Sequence, residues 1–324
     1  MIIREYGPGD EARAISLWNE CLPMDQIDRR NFYNRIIYDV NFNPSYYLLA
    51  FDNRAQASPP MPGQAAAPSG FIYFTRRTIP DEITGLEPEK GWIVAMGVRP
   101  DCRGRGVGRA LAGKAESLLA EAGVRLIDIG TYASNYFCPG VDKNAYAGGI
   151  DFFKKLGYVN RGECCSMDIG LHDYVYPEKY KEKRRQSEER GYVIKPYEAA
   201  YAVPLFKFMR ESFPHWLPNA RACALSGKAA ERMIVATDKT GAVVGFVMRA
   251  MDGADERFGP FGVKPELQGI GLGSLLFHEM MLSMNRQRIF YAYFLWTGGR
   301  NLDIYSSWGM KIYRTYCLMG KNSN

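Results

Sequence analysis

The chain has 324 residues, of which 47% are apolar, and its formal net charge is +6. That length exceeds what one hydrophobic core usually supports, and the apolar content is enough for a core in each half. Length and composition therefore agree with a soluble enzyme of two domains. We expect a cytoplasmic chain without a leader or a membrane segment, because Met1–Ala12 is already charged and no stretch approaches the roughly 18 apolar residues of a membrane span.

The cysteines, histidines and charged residues disfavour disulfide bonds, a metal site and a nucleic-acid surface. The seven cysteines include no C-x-x-C pair, and the three histidines, His172, His215 and His278, stand at no metal-ligand spacing. We therefore expect reduced thiols and no metal. The densest charged run, residues 178–190, mixes both signs, which predicts a solvated helix or linker and no nucleic-acid surface.

The predicted elements form two similar series. Each begins with a short strand and a helical region, Ile2–Tyr6 and Glu11–Glu20 in the first half and Tyr192–Tyr197 and Ala199–Ser212 in the second. Alternating apolar residues then predict three strands in each half. In chain order these are Tyr46–Phe51, Phe71–Arg77 and Trp92–Val98, and then Arg232–Thr237, Val243–Ala250 and Arg257–Val263.

A glycine-rich turn follows the third of these strands in each half. The turns are Arg103–Gly108 and Gln268–Gly273, each after a Gly-Val-x-Pro segment and before an amphipathic helix. Such a turn leaves backbone N–H groups unpaired at the start of a helix, where the helix dipole also favours negative charge. A pyrophosphate is the expected occupant. Each half closes with a further strand, Leu126–Thr131 or Arg288–Leu295, a short helix and a final strand.

This series of motifs resembles the GNAT superfamily of acyl-CoA N-acyltransferases. The likeness is carried by the Val-x-Pro strand ends, by [Gln/Arg]-x-x-Gly-x-Gly in both halves, and by Phe153–Tyr158, which reads Phe-Lys-Lys-Leu-Gly-Tyr. A dinucleotide fingerprint does not fit, because Arg109 and Ser274 occupy the place of its third glycine.

The resemblance implies an α/β (α+β) fold of two tandem GNAT-like domains, each a mixed, mostly antiparallel sheet flanked by helices. We place an N-terminal domain over residues 1–171, a charged linker over 172–191 and a C-terminal domain over 192–324.

The resemblance also implies acetyl-CoA as the acyl donor, with its pyrophosphate on one of the two turns. A backbone N–H near Val98 or Val263 would polarise the thioester carbonyl. The residues expected to contact acetyl-CoA are Val98, Arg103, Gly104, Arg105, Gly106, Val107 and Gly108 in the first half, and Gly262, Val263, Gln268, Gly269, Ile270, Gly271, Leu272, Gly273, Ser274 and Asn301 in the second.

A tyrosine beside the sulfur usually protonates the departing thiolate in this family. Aligning the late glycines, Gly157 and Gly309, places Phe153 at that position in the first half and Tyr305 in the second. We therefore predict that the C-terminal domain is catalytic with Tyr305 as general acid, and that the N-terminal domain is degenerate. Glu256 is the predicted general base, with Asp303 as the alternative.

The acceptor is expected to be a small-molecule amine. His215 and Trp216 follow the first helix of the second half, where family members commonly line the acceptor pocket. Pro139–Asp142 and Phe294–Thr297 give a narrower likeness to bacterial glucosaminide N-acetyltransferases, which suggests an amino sugar such as glucosamine. Arylalkylamines, peptide N-termini and lysine side chains stay open, as do a sensor that binds acyl-CoA without chemistry and the oligomeric state.

Overall fold

The structure, a computed structural model, describes residues 1–52, 67–132 and 139–322. The chain divides into two compact units. Unit 1 comprises Met1–Cys164 together with Arg314–Asn324, and unit 2 comprises Cys165–Tyr313.

Unit 1 is built on a sheet in the order β1-β2-β3-β4-β5-β13, with β6 paired to β13. All of these pairs are antiparallel except β4 with β5. Its elements in chain order are β1 (Ile2–Glu5), α1 (Glu11–Cys21), α2 (Arg29–Phe32), β2 (Tyr47–Phe51), β3 (Gly70–Arg76), β4 (Lys90–Val98), α3 (Val107–Glu121), β5 (Leu126–Ile129), β6 (Val141–Asp142), α4 (Ala147–Lys155), the start of β7 (Val159–Gly170) and the end of β13 (Lys311–Asn322).

Helices cover both faces of this sheet. Alternate residues of β2, β3 and β4 point to opposite sides, as a pleated strand requires, so Leu48 and Ile72 pack in one core with α3. Tyr47 and Tyr73 pack in a second core on the other face, with α1.

Unit 2 repeats this plan. Its strands pair antiparallel in the order β11-β10-β9-β8, and β12 pairs antiparallel with the Cys165–Gly170 part of β7. The remaining elements are α5 (Glu178–Glu189), β8 (Val193–Pro196), α6 (Ala202–Ser212), α7 (Leu217–Leu225), α8 (Ala229–Arg232), β9 (Met233–Thr237), β10 (Val243–Arg249), β11 (Phe258–Val263), α9 (Leu272–Arg286), β12 (Tyr291–Thr297) and α10 (Arg300–Ser307).

The two faces of the unit 2 sheet again carry separate cores. Val247 and Phe258 pack with α9 on one face. Phe246 and Met248 pack with α6 and α7 on the other. The charged run predicted as a helix or linker contains α5, which belongs to unit 2 and is joined to α9 by an ion pair between Arg184 and Glu279.

The predicted fold class is confirmed, and the predicted strands agree with the structure to within a few residues. The sequence repeat did not predict that β7 and β13 are each divided between the two units. The chain passes into unit 2 at Cys165, within β7, and returns to unit 1 at Arg314, within β13. The boundaries 1–171, 172–191 and 192–324 describe the sequence repeat and stay a prediction.

Candidate active site

The glycine-rich turn of unit 2 links β11 to α9. The backbone is left-handed at Gly269 and at Gly271, with φ of +89° and +102°, and Gly271 is the N-cap of α9. Glycine is needed there because side chains with a β-carbon rarely adopt that conformation. A β-carbon at Gly269 would meet no atom within 4 Å. The turn is thus shaped by its backbone and opens outward.

Several amides of this turn are available to a ligand. The N–H groups of Leu272, Gly273 and Ser274 have no hydrogen-bond partner among the described residues, while the Ser274 hydroxyl donates to the Gly271 carbonyl at 2.7 Å. These amides stand at the positive end of a helix dipole. The arrangement fits a phosphate or pyrophosphate group.

The turn of unit 1 has the same backbone but a different setting. Gly104 and Gly106 are left-handed, and α3 begins at Val107. The Arg103 guanidinium donates from Nε to the Val98 carbonyl at 3.0 Å, so a side chain already occupies this acceptor at the strand end. The corresponding Gln268 makes no side-chain hydrogen bond within the described part of the chain.

The space beside each turn also differs between the units. A β-carbon at Gly108 would lie 3.2 Å from the Phe152 ring and 3.4 Å from the Met96 methyl group. At the matching Gly273 the nearest atom is 3.6 Å away, on Phe261. Unit 2 therefore leaves more room next to its turn.

Two neighbouring parallel strands separate below each turn. In unit 1, β4 and β5 pair from Lys90 with Leu126 to Ile93 with Ile129 and no further. In unit 2, β11 and β12 meet at a single parallel bridge between Arg257 and Tyr293, where the Tyr293 N–H donates to the Glu256 carbonyl at 3.1 Å. Beyond this bridge, the described residues give the β11 edge facing β12 no partner strand.

Tyr305 lies on α10 within an aromatic cluster. Its ring centroid is 4.6 Å from that of Phe294, 5.7 Å from that of Trp308 and 5.9 Å from that of Phe261. The hydroxyl has no hydrogen-bond partner among the described residues. Burial raises the pKa of Tyr305 well above its usual value, so the side chain holds its proton at neutral pH.

Unit 1 offers no equivalent hydroxyl at that position. Phe153 is buried, with its ring 5.3 Å from that of Tyr158. The hydroxyl of Tyr158 is already engaged, because it donates to Glu116 at 3.0 Å.

The other predicted site residues of unit 2 are placed as follows. Glu256 is exposed and stands two residues before β11, while Asn301 and Asp303 are exposed in the first turn of α10. His215 is exposed in the helical turn Pro214–Trp216. Trp216 is half-buried and packs with the core on the face of the sheet opposite α9.

Two charged residues near these elements were not predicted. The Lys183 side chain on α5 comes within 3.8 Å of where a β-carbon on Gly271 would lie. Arg257, at the bridge between β11 and β12, is buried. The sequence showed Lys183 only as part of a charged run and Arg257 only as the first residue of a predicted strand. Both contacts depend on tertiary packing, so no local pattern could have revealed them.

The part of the chain that the structure describes offers neither a metal site nor a membrane span. Those residues contain no cluster of three or more His, Cys, Asp or Glu side chains able to hold a metal ion. Across the same ranges, every helix is too short or too polar to cross a membrane.

Part of the chain matches a known protein family. Residues 14–158 match the model of the Acetyltransferase (GNAT) family. Among curated protein sequences, none is similar enough to count as a relative.

Several solved structures are similar to this chain over almost its whole length. The glucosamine N-acetyltransferase region of a fungal multi-domain GH3 β-N-acetylglucosaminidase has a TM-score of 0.78 at 19% identity, over 98% of this chain and 38% of that one. A GCN5-related N-acetyltransferase from Sphaerobacter thermophilus has a TM-score of 0.68 at 15% identity, covering 99% and 95%. A tandem GNAT protein from the clavulanic acid biosynthesis pathway has a TM-score of 0.65 at 15% identity, covering 100% and 98%.

The chain thus spans 38% of the length of the fungal protein and almost all of the other two. Its fold is that of the GNAT acetyltransferases, present twice. The first half of the chain thus matches the GNAT family, and the whole chain has the fold of the tandem GNAT proteins.

Proposed function

We propose that this protein is an N-acetyltransferase that moves an acetyl group from acetyl-CoA to a primary amine, and that unit 2 performs the reaction. The observation that carries the proposal is the combination, in unit 2, of an open turn with unpaired amides, an unpaired strand edge below it, and Tyr305 with an unpartnered hydroxyl. The family match of the first repeat and the tandem fold support it.

The backbone of unit 2 would hold the donor. The amides of Gly269–Ser274 suit its pyrophosphate, and the free edge of β11 at Gly262 and Val263 suits the amides of its pantetheine arm. Acetyl-CoA supplies an activated acyl group when it is bound. A preset N–H at the strand edge that donates to the thioester oxygen is worth about 3 kcal/mol of barrier reduction.

Side chains of unit 2 would handle the protons. An ammonium group must lose a proton before it can attack, and the exposed Glu256 carboxylate is the proposed acceptor of that proton, with Asp303 as the alternative. Tyr305 is the proposed donor to the departing thiolate, because its hydroxyl is protonated at neutral pH and has no hydrogen-bond partner among the described residues.

Unit 1 is proposed to have lost the reaction. The Arg103 side chain already donates to the Val98 carbonyl, and the Phe152 ring lies close to Gly108. Phe153, at the position of Tyr305, has no proton to donate. Unit 1 would then serve a structural or substrate-shaping role.

The proposed acceptor is an amino sugar such as glucosamine. One structural neighbour is described as a glucosamine N-acetyltransferase region, and the rings of His215 and Trp216 offer the kind of surface on which a sugar ring packs. We place the reaction in the cytoplasm, as the composition predicts and as the free cysteines of the described ranges support.

The test is release of free CoA thiol from acetyl-CoA over a panel of amines that includes glucosamine. Gly271→Val should cost more than tenfold in kcat/KM because a side chain would crowd the amides. Gly253→Val is the matched control, since Gly253 also has positive φ but lies in a different turn, where a β-carbon would meet no atom within 4 Å. Gly106→Val should cost less than Gly271→Val if unit 2 is the catalytic one.

Two outcomes would contradict the proposal. Binding of CoA without turnover of any amine would identify a sensor. Equal losses in Gly271→Val and Gly253→Val would show that the turn after β11 does not hold the donor.

A further inference from the structure

Arg257 is a buried cation with neither an ion pair nor a side-chain hydrogen bond among the described residues. The residue is only 5% exposed, and its Nε and Nη1 atoms are buried with no hydrogen-bond partner in those ranges. Its guanidinium forms no ion pair with any carboxylate of the described residues. The guanidinium carbon lies 5.8 Å from the centroid of the Tyr293 ring.

Such an arrangement is unfavourable in the protein alone. A guanidinium stays charged at any accessible pH, so it cannot relieve its burial by losing a proton. Buried charges in folded proteins are normally paired and hydrogen-bonded. An unpaired one therefore indicates a partner that the ligand supplies.

The other buried arginine of this region shows what a structural role looks like. Arg249 donates from Nη1 to Asp255 at 2.9 Å and from Nη2 to Gln287 at 2.6 Å. Asp255 also pairs with Arg232 at 3.0 Å. The local carboxylate is thus shared by two arginines, and neither of them is Arg257.

The position of Arg257 relates it to the proposed acceptor. It forms the bridge at which β11 and β12 separate. Phe258, the next residue, packs with Phe277 of α9, and successive side chains of a strand point to opposite faces. Arg257 therefore faces away from α9, toward the side of the sheet that carries Trp216.

The proposed donor site lies at the other end of the same strand. β11 runs from Phe258 to Val263, about 16 Å at roughly 3.3 Å per residue. A pantetheine arm that enters at Val263 and follows this edge would bring its thioester toward the bridge. Arg257 would then stand beside the reacting amine.

Resting on the proposed function, we infer that the acceptor amine also carries an anionic group, a carboxylate or a phosphate, which Arg257 binds. The planar guanidinium fork matches either oxyanion with two hydrogen bonds. Arg257 is therefore a specificity residue, which selects amino acids or amino-sugar acids and phosphates over neutral amines.

The test compares acceptors that differ in one group. Glucosamine, glucosamine 6-phosphate and glucosaminuronic acid share the amine and the pyranose ring and carry at C6 no anion, a phosphate and a carboxylate, respectively. We expect kcat/KM, followed as thiol release, to be at least tenfold higher for one of the anionic members. In Arg257→Met that preference should fall by tenfold or more. The anionic acceptor with the higher kcat/KM shows whether Arg257 binds a carboxylate or a phosphate.

The outcomes separate the inference from the function on which it rests. Turnover of all three acceptors at similar rates, or a preference that survives in Arg257→Met, would overturn the inference and leave the acetyltransferase proposal standing. Failure of every amine to release thiol would overturn both.

Stability gives a second readout that needs no substrate. Arg257→Met removes a buried charge that has no ion-pair partner among the described residues and keeps an unbranched apolar stem, so the melting temperature of the ligand-free protein should not fall. Arg249→Met breaks paired contacts and should lower it. A loss in Arg257→Met as large as that in Arg249→Met would show that Arg257 is structural and would overturn the inference.

Discussion

The Phe213 ring packs directly against the backbone of Gly262. A β-carbon at Gly262 would lie 2.6 and 2.8 Å from the two ε-carbons of that ring, closer than such atoms approach. Unit 1 has the same relationship at Gly97, where a β-carbon would overlap Cys21 at the end of α1 and lie 2.8 Å from Phe71. The glycine of each Gly-Val-x-Pro segment is thus the place where the C-terminal end of α1 or α6 packs against the strand.

Gly262→Ala should therefore destabilise the protein by about 2 kcal/mol, because the added methyl group overpacks a filled site. Urea unfolding measures the change. Gly113→Ala is the control, since Gly113 lies inside α3 with no atom within 4 Å of its β-carbon position and alanine is the better helix former by about 1 kcal/mol. The packing explanation fails if both variants shift the midpoint in the same direction.

Tyr305→Phe should lower kcat about 100-fold and change the KM for acetyl-CoA much less, because the ring contacts remain and only the proton donor is lost. Steady-state kinetics separates the two constants. Tyr158→Phe removes a hydroxyl of unit 1 that donates to Glu116 and should cost about 1 kcal/mol of stability without lowering kcat. An unchanged kcat in Tyr305→Phe would remove its assigned role.

Glu256→Gln should lower kcat about 100-fold at neutral pH, because the ammonium group loses its proton acceptor. The deficit should shrink at alkaline pH, where solvent deprotonates the amine. A pH profile of kcat checks both points. If Asp303→Asn shows this behaviour and Glu256→Gln does not, Asp303 is the base.

Acid should destabilise unit 2 through His278. This residue is 1% exposed, its Nδ1 is hydrogen-bonded to the Tyr174 hydroxyl and its Nε2 has no partner. Burial, with help from Lys179 and Lys183, lowers the pKa of His278 to about 4. Unfolded histidine titrates near 6.5, so this contribution is complete above about pH 6.5 and is lost as the pH falls toward 4, by on the order of 3 kcal/mol in all.

Melting temperatures at pH 7 and pH 5 test this titration. In His278→Gln the amide can still bond Tyr174 but cannot gain a charge, so the loss of stability between the two pH values should be smaller than in the wild type. The exposed His172→Gln should keep the wild-type difference. The assignment to His278 is wrong if the two variants respond alike.

The fold could be predicted largely because its signals are local. Alternating apolar residues marked the strands, and the paired glycines before Val107 and Leu272 marked where α3 and α9 begin. The partners of β7 and β13 were not predictable in this way, because alternation in a strand states which face is buried and says nothing about the strand beside it.

The candidate site was predictable only where it follows a motif. The turn after Gln268 and the place of Tyr305 are fixed by spacing from conspicuous glycines. Arg257 and Lys183 carry no such marker. Arg257 stands out because the described residues supply it no counter-ion, and Lys183 because α5 packs on α9.

The passage of the chain at Cys165 and Arg314 has a consequence during synthesis. Unit 2 is encoded without interruption from Cys165 to Tyr313, whereas unit 1 needs the part of β13 from Arg314 onward, which pairs with β5. A ribosome releases all of unit 2 before it releases the last piece of unit 1. The half of the protein that is translated first can therefore be the last to finish folding, the reverse of the usual order for multidomain chains.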